Sequence, residues 1–507
     1  MMEKSDQLVI LIIMDGIRAD VLYDSIQTHR MPFLEKYIFN RAAVIENCFT
    51  CFPTNTVPGH LGILTGCYAN QHHVPAMKFW NLLQMKYRDY SGLGIFDLLD
   101  DEYNPNVKMI YEFFNNSYAF TLSNFAKGSN FTYLNKSRMV FFYLMQKVLG
   151  YKVILLHSLK TFLHYLKQNA KGGLFVLWLP ISDEIGHEKG PTSPELLHHL
   201  EEIDQTLFKA LFEGQKRWDG LINKGLMDST YFIITADHGG FPIQMESELL
   251  QDLKSIPLKI KNKQASLKIL NNCDILLAYT DGVANIYVRN PDTKDWTGRT
   301  EYHQLINYPT SNGPINLIEY LLKTPSVSHV FVKEPDSSAN SYLVFSQEGR
   351  SRIQRKIEDR SILTAYKILS TPDPFDYESN PKINELLDGA FHPLEEWQTG
   401  LMETNYPTML DQIPRVFDCT NAGDLIIMVK EGYSFTNKSK KGTHDTGTYI
   451  CSRVPLILAG PSIKHLFSNF PAKTVDIVPT LLHLLNLDAD FQQFDGRVLL
   501  EIIEASS

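Results

Sequence analysis

Three apolar runs in this 507-residue chain lead into acidic residues at their carboxyl ends. LVILIIM (8–14) runs into Asp15-Gly16, LFVLWLP (174–180) into SDEIGH with Asp183 and His187, and STYFIIT (229–235) into Asp237-His238-Gly239-Gly240. Each run is short and strand-like, and runs this apolar fit strands buried on both faces. Helical patterns fall between them: MPFLEKYIF (31–39), GHLGILTG (59–66) after a Pro-rich turn, and a long amphipathic stretch from Pro194 through PELLHHLEEIDQTLFKALFEGQKRWDGLI. AVIENCFTCF (43–52) and VKMIYEFF (107–114) read as further strands. Strands alternating with helices predict an α/β fold, with a mostly parallel central sheet and helices on both faces. Ligands in such sheets bind beyond the carboxyl ends of the strands, where these acids fall.

The segment 241–423 reads differently. ILLAYTDGVANIYV and SHVFVKEPDSSANSYLVFS are β-rich and broken by turn signals, and PDPFDYESNPKINELLDG is loop-like. The expected organisation is an α/β core over 1–240 and 424–507, with a smaller cap inserted over 241–423. In that scheme DLIIMV (424–429) rejoins the main sheet, followed by a strand in CSRVPLILAGPSIK and a helix in KTVDIVPTLLHLLNL.

Composition narrows the function classes. With 44% hydrophobic and 21% charged residues the chain is neither disordered nor fibrous. The net charge of −9 argues against a nucleic-acid duplex as partner. The one short basic stretch, KIKNKQASLK (259–268), reads as solvated surface. Six cysteines are too sparse for a disulfide framework, and the single Cys48-x-x-Cys51 pair reads as packing. LVILIIM lacks a small-residue cleavage site, so it is taken as a strand and not a signal-peptide core. No apolar run reaches 18 residues, so no transmembrane segment is expected, and the expected compartment is the cytoplasm.

Taken singly, the polar motifs have plain readings. An Asp-Gly after a strand is usually a turn, and Thr56 in FPTNTVPGH could simply cap a helix that opens at Pro58. Their joint occurrence points to chemistry. Carboxylates and imidazoles suit zinc and related divalent ions. Asp183 and His187 stand four residues apart, and the flanking Pro180 and Gly186 suggest a tight loop that turns both onto one ion. His444, between Gly442 and Gly447, is free to join them. Asp237, His238 and Asp15 would converge on a second ion. Thr56 is then the natural nucleophile, because metal coordination lowers the pKa of a hydroxyl.

These motifs resemble the alkaline phosphatase superfamily, most closely its nucleotide pyrophosphatase/phosphodiesterase branch. LVILIIMDGIRADVL resembles the first strand and metal aspartate, and FPTNTVPGHLGILTGCYANQHHV resembles the nucleophile segment. LPISDEIGHEKGP, FIITADHGG and GTHDTG resemble the later metal loops, and TVDIVPTLLHLLNL with Phe494-Asp-Gly-Arg497 resembles the C-terminal ending. The resemblance covers about residues 8–240 and 424–500. It implies an alkaline phosphatase-like fold and two divalent ions, zinc by expectation. Asp183, His187 and His444 would hold one; Asp15, Asp237, His238 and Thr56 would surround the other. It further implies hydrolysis of a small-molecule phosphodiester or pyrophosphate through a phosphothreonine at Thr56. Two positions depart from the branch. Gly59 stands where the branch has Asn, and Met77 where a second Asn would steady a phosphate oxygen. Gly59 and Lys78 are the candidate substrate contacts. The alternatives are a phosphomonoesterase, a phosphoethanolamine-type transferase, and a non-catalytic metal- or ligand-binding member.

Overall fold

The structure, a computed structural model, describes residues 5–91, 102–135, 137–138, 157, 160–168, 172–216, 218–245, 247–335, 339–359, 361–436 and 439–504. Five adjacent strands carry the predicted site: β1 (Leu8–Met14), β2 (Ala43–Phe49), β3 (Gly173–Leu179), β4 (Thr230–Thr235) and β5 (Arg453–Ala459). Their order across the sheet is β2-β5-β4-β1-β3. Ser117–Leu122 and Phe131–Leu134 extend one edge, Leu466–Ser468 and Ala472–Lys473 the other, making nine strands. β5 runs antiparallel to both its neighbours, and the other pairings are parallel.

Burial explains the composition of these strands. β1, β3 and β4 are buried at every residue, so no position needs to be polar. Helices Ala19–Gln27, Pro194–Ile203 and Ile477–Leu484 bury Val21, Leu22, Leu196, Leu200, Ile477 and Leu481 in the same core as the strands. Register then sets the site. Met14 pairs with Leu179 and Ile13 with Thr235, so β1, β3 and β4 end level. The residues that follow emerge along one edge, where β2 also ends and β5 begins.

A second nine-stranded sheet fills most of the middle of the chain. Its order is Ile260–Lys261, Ile275–Tyr279, Val283–Val288, Leu425–Val429, Val327–Glu334, Asn340–Phe345, Arg350–Glu358, Ser361–Ser370 and His392–Pro393. Leu425–Val429 therefore does not rejoin the main sheet. It lies antiparallel between Val283–Val288 and Val327–Glu334. Leu425, Ile427 and Val429 enter one core and Ile426 and Met428 another. A strand buried on both faces reads the same in either sheet, so the apolar run could not say which one it joins.

Two other expectations are corrected. VKMIYEFF is not a strand: Ile110–Phe113 forms a 3₁₀ turn, and the strand follows at Ser117–Leu122. The helix from Pro194 stops at Phe212, with a π turn at Asp204–Phe208. The Asp204 carboxylate accepts hydrogen bonds from the backbone N–H groups of Phe33 (3.1 Å) and Leu34 (2.8 Å) at the start of the Pro32–Tyr37 helix. Beyond Phe212, Gly214 at φ 90° turns the chain into a small hairpin, Gly214–Gln215 with Trp218–Asp219.

Buried histidines make the fold sensitive to acid. Burial lowers His329 to about 4, although its Nε2 hydrogen-bonds the Pro374 carbonyl at 2.8 Å. It holds His72 at about 3. Unfolded, both titrate near 6.5, so below that pH the unfolded chain binds more protons and stability falls as pH falls. The melting temperature of wild-type protein is expected to drop from pH 6.5 to 4.5 more steeply than that of His329→Gln. Parallel curves for the two proteins would contradict this.

Candidate metal centre

The site is built from the level strand ends. β1 releases Asp15, whose N–H donates to the Leu179 carbonyl (3.2 Å) at the end of β3. Gly16 follows at φ 68°, and a Cβ there would stand 2.8 Å from Asp183 Oδ1. β3 leads through Pro180 into helix Ile181–Lys189, so the expected tight loop is corrected: Asp183 and His187 sit one turn apart on a helix. Pro180 precedes the first turn, where its missing N–H costs nothing, and Gly190 at φ 112° ends the helix. Spacing of i, i+4 places both side chains on one face, with Asp183 Oδ2 3.3 Å from His187 Nε2.

Two further connections close the ring. Phe241–Pro242, after Asp237-His238, pairs with Gly442–Thr443, and the backbone of Asp445 exchanges hydrogen bonds with Thr54. His444 is thereby fixed between the β4 loop and the β2 loop. The β2 loop opens helix Thr56–Thr65. Gly59 in this helix lies against Asp237, where a Cβ would come 2.5 Å from the Asp237 carbonyl oxygen. Its bare backbone serves that close approach.

The histidines define their own tautomers. Nδ1 of His187, His238 and His444 lies 2.9, 2.9 and 3.0 Å from the backbone carbonyls of Gly442, Gly239 and Thr54. Carbonyls only accept, so each Nδ1 carries a proton and each Nε2 is left to take up a cation or a second proton. The Nε2 atoms of His187 and His444 face each other at 3.2 Å. Two lone pairs at that distance repel unless a proton or a metal cation lies between them.

The carboxylates show the same pattern. Asp15 Oδ2 accepts from the Trp178 indole (2.6 Å), and Asp237 Oδ1 from the N–H groups of Gly16 (3.2 Å) and His238 (3.1 Å). Asp15 Oδ1, Asp237 Oδ2 and His238 Nε2 are buried without a hydrogen-bond partner. His238 Nε2 lies 3.4 Å from Asp15 Oδ1 and 3.6 Å from Asp237 Oδ2. Ligand atoms of Asp15, Asp237 and His238 gather within 4.8 Å of one another, and so do those of Asp183, His238 and His444. His238 stacks on His444 at 3.9 Å and joins the two groups. Unpaired buried groups are costly, and this oxygen-and-imidazole donor set fits divalent cations.

Charge agrees with geometry. Burial, then Asp237 and Asp183, push the Asp15 carboxyl well above its usual range. Burial also opposes charge at Asp183 and Asp237, but neighbouring histidines outweigh it and hold both carboxyls low. Burial lowers His238. At His444 burial is outweighed by Asp445, which holds the imidazole up at about 9.

Thr56 is tied to this cluster through a residue that the sequence reading missed. His60 Nδ1 lies 2.9 Å from the Thr56 carbonyl and 3.3 Å from Asp237 Oδ2. Its position one turn after Thr56 was the available signal. Trp178 and Asp445, also missed, touch Asp15 and His444; only proximity in the fold reveals them. Lys78 sits in the hairpin Lys78–Asn81 with Lys86–Asp89, and its ammonium lies 3.4 Å from Asp89. No helix among the described residues is long and apolar enough to cross a membrane.

Fold and site together define an α/β protein of the alkaline phosphatase type. The chain belongs to the type I phosphodiesterase/nucleotide pyrophosphatase family, whose model matches residues 9–310. It is 27% identical over 250 residues to GPI ethanolamine phosphate transferase 1 of Saccharomyces cerevisiae, covering 45% of this chain and 24% of the relative. It is 24% identical over 236 residues to ectonucleotide pyrophosphatase/phosphodiesterase family member 1 of Mus musculus, covering 45% and 24%. The chain thus matches about a quarter of the length of these relatives. Among solved structures, human ectonucleotide pyrophosphatase/phosphodiesterase 5 superposes with a TM-score of 0.60 at 16% identity, covering 98% of this chain and all of that one. An inactive variant of the murine protein in complex with AMP superposes at 0.56 with 15% identity, covering 96% of each. At these identities the likeness speaks to fold.

Gly59→Ala tests the packing at Asp237. The added Cβ must push the helix off Asp237, with a cost of about 1–3 kcal/mol. A lower melting temperature and reduced metal content after gel filtration are expected; unchanged metal content would count against the contact.

Proposed function

We propose that this chain is a zinc-dependent phosphoric ester hydrolase acting on a phosphodiester or pyrophosphate through a phosphothreonine at Thr56. The observation that carries the reading is the convergence of unpartnered Asp15, Asp237 and His238 atoms beside the facing Nε2 atoms of His187 and His444. Asp183, His187 and His444 would hold one ion, and Asp15, Asp237, His238 and Thr56 the other. The pair would supply positive charge for the phosphoryl oxygens and lower the pKa of the attacking hydroxyl. His60 holds the Thr56 carbonyl and keeps the first helical turn against Asp237. Trp178 occupies Asp15 Oδ2, so that only Oδ1 remains for an ion. Attack by the Thr56 oxygen forms a P–O bond to the chain and expels the alcohol or phosphate leaving group. Water then cleaves that ester and regenerates the hydroxyl. The second sheet, which takes up most of 241–423 together with Leu425–Val429, would act as the cap that sets the leaving group. The six cysteines are unpaired and buried, which supports a reducing compartment such as the cytoplasm.

One specific feature favours a second reading. Gly59, with no side chain to offer a phosphate, gives Pro-Gly-His in place of the branch's Pro-Asn-His, and Lys78 has Asp89 as its partner. A monoesterase, or a transferase of the kind named by the yeast relative, fits that loop as well as a diesterase does.

Bis-p-nitrophenyl phosphate and p-nitrophenyl phosphate, each with and without chelator, separate these readings. Chelator-sensitive turnover of the diester above the monoester is expected. Faster monoester turnover would favour the monoesterase, and turnover of neither a transferase or a binding role. Thr56→Ala should lose at least about 10³-fold in kcat while retaining two metal ions. Loss of both ions in that variant would make Thr56 structural.

A further inference from the structure

Asp445 follows His444 and is 1% exposed, yet it stands at φ 82°, a region that disfavours side chains other than glycine. Such conformations persist where the surroundings over-determine them, and often where they serve function. Three atoms of Asp445 are hydrogen-bonded and the fourth stands beside His444. Its N–H donates to the Thr54 carbonyl (3.0 Å), and its own carbonyl accepts from Thr54 N–H (3.2 Å). Oδ1 lies 2.9 Å from His444 Nδ1, a charge contact that is not aligned as a hydrogen bond, because the Nδ1 proton goes to the Thr54 carbonyl. Oδ2 accepts from Gly282 N–H at 2.9 Å. Gly282 belongs to the turn between Ile275–Tyr279 and Val283–Val288 in the second sheet. A Cβ on Gly282 would stand 2.2 Å from the His444 carbonyl oxygen, so only a bare backbone reaches this close. Asp281 anchors the same turn through Lys440 and Thr436, and its carbonyl accepts from Phe435 N–H at 2.7 Å.

We propose that Asp445 is a positioning residue that keeps His444 Nε2 aimed at the metal ligands and makes its orientation depend on the second-sheet turn at 280–282. A carboxylate beside the far nitrogen of a metal-binding imidazole fixes ring orientation and raises basicity, and losing it typically costs 10–100-fold in metal affinity. The left-handed backbone places Oδ1 on His444 and Oδ2 on Gly282 at once. The second sheet thus holds one edge of the metal centre, in addition to any part it has in substrate choice. The inference rests on the metal reading above.

Glycine suits φ 82° better than aspartate, so Asp445→Gly separates backbone from carboxylate. Zinc titration of chelator-stripped protein against a chromophoric competitor is paired with melting of the same metal-free samples. Metal-free Asp445→Gly is expected to melt at or above wild type, yet to bind one zinc about 10–100-fold more weakly. Asp445→Asn, which preserves size, should show the same loss in zinc affinity. Gly282→Ala, distant in sequence from every ligand, should weaken the same zinc. Wild-type affinity in both Asp445 variants would overturn the proposal, as would a loss of affinity matched by a lower melting temperature in the metal-free protein. If Asp445→Gly fails to fold, Asp445→Asn decides by the same two readouts. Wild-type protein that binds no zinc would overturn the metal reading itself.

Discussion

Two buried carboxylates, Asp15 and Asp237, and the partly exposed Asp183 share one hollow and repel each other, and that repulsion governs the surroundings of the site. Asp15, Asp183 and Asp237 raise one another's cost of ionisation, and burial raises it further. The protein relieves part of the charge with Trp178, Gly16 and the histidines, but leaves one oxygen of Asp15 and one of Asp237 without a donor. A well-packed core removes such atoms or satisfies them. Here they converge from β1 and β4, strands whose ends the register holds level. The sheet is therefore a frame that holds like charges together more tightly than they would choose alone.

The sequence made the fold class and most of the site legible, for a definite reason. Buried parallel strands are written as continuous apolar runs, and the residue after such a run lies at the sheet edge wherever the strand pairs. Asp15, Asp183 and Asp237 could thus be placed without coordinates. His444 could be suggested by motif only, since its approach depends on pairing between Phe241–Pro242 and Gly442–Thr443, far apart in the chain. The helix around Asp183 was misread because Pro180 and Gly186 are loop signals in isolation. A proline just before a helix is consistent with helix too, and Gly186 answers no steric demand of its own there, since a Cβ on it would lie 3.9 Å from Pro191 Cα.

Other features lay beyond local pattern. Leu425–Val429 carries no mark of the sheet it joins, because both sheets bury their central strands on two faces. Trp178 and Asp445 act by contact with residues 163 positions away or by the conformation of a single residue, and neither is encoded in spacing, whereas His60 carried a spacing signal only toward Thr56 and none toward Asp237. Gly59 had the reverse history. It drew notice as a departure from a family pattern, and the structure supplies a packing reason in the Asp237 backbone.

The Thr54–Asp445 bridge joins segments separated by most of the polypeptide. A chain grows from its N-terminus on the ribosome, so the acids at 15, 183 and 237 emerge long before the imidazole at 444. The half-made centre must then wait with its negative charge unbalanced while the second sheet is still being synthesised. On the proposed metal reading, a cation could not be fully enclosed until the loop carrying His444 has paired with Thr54.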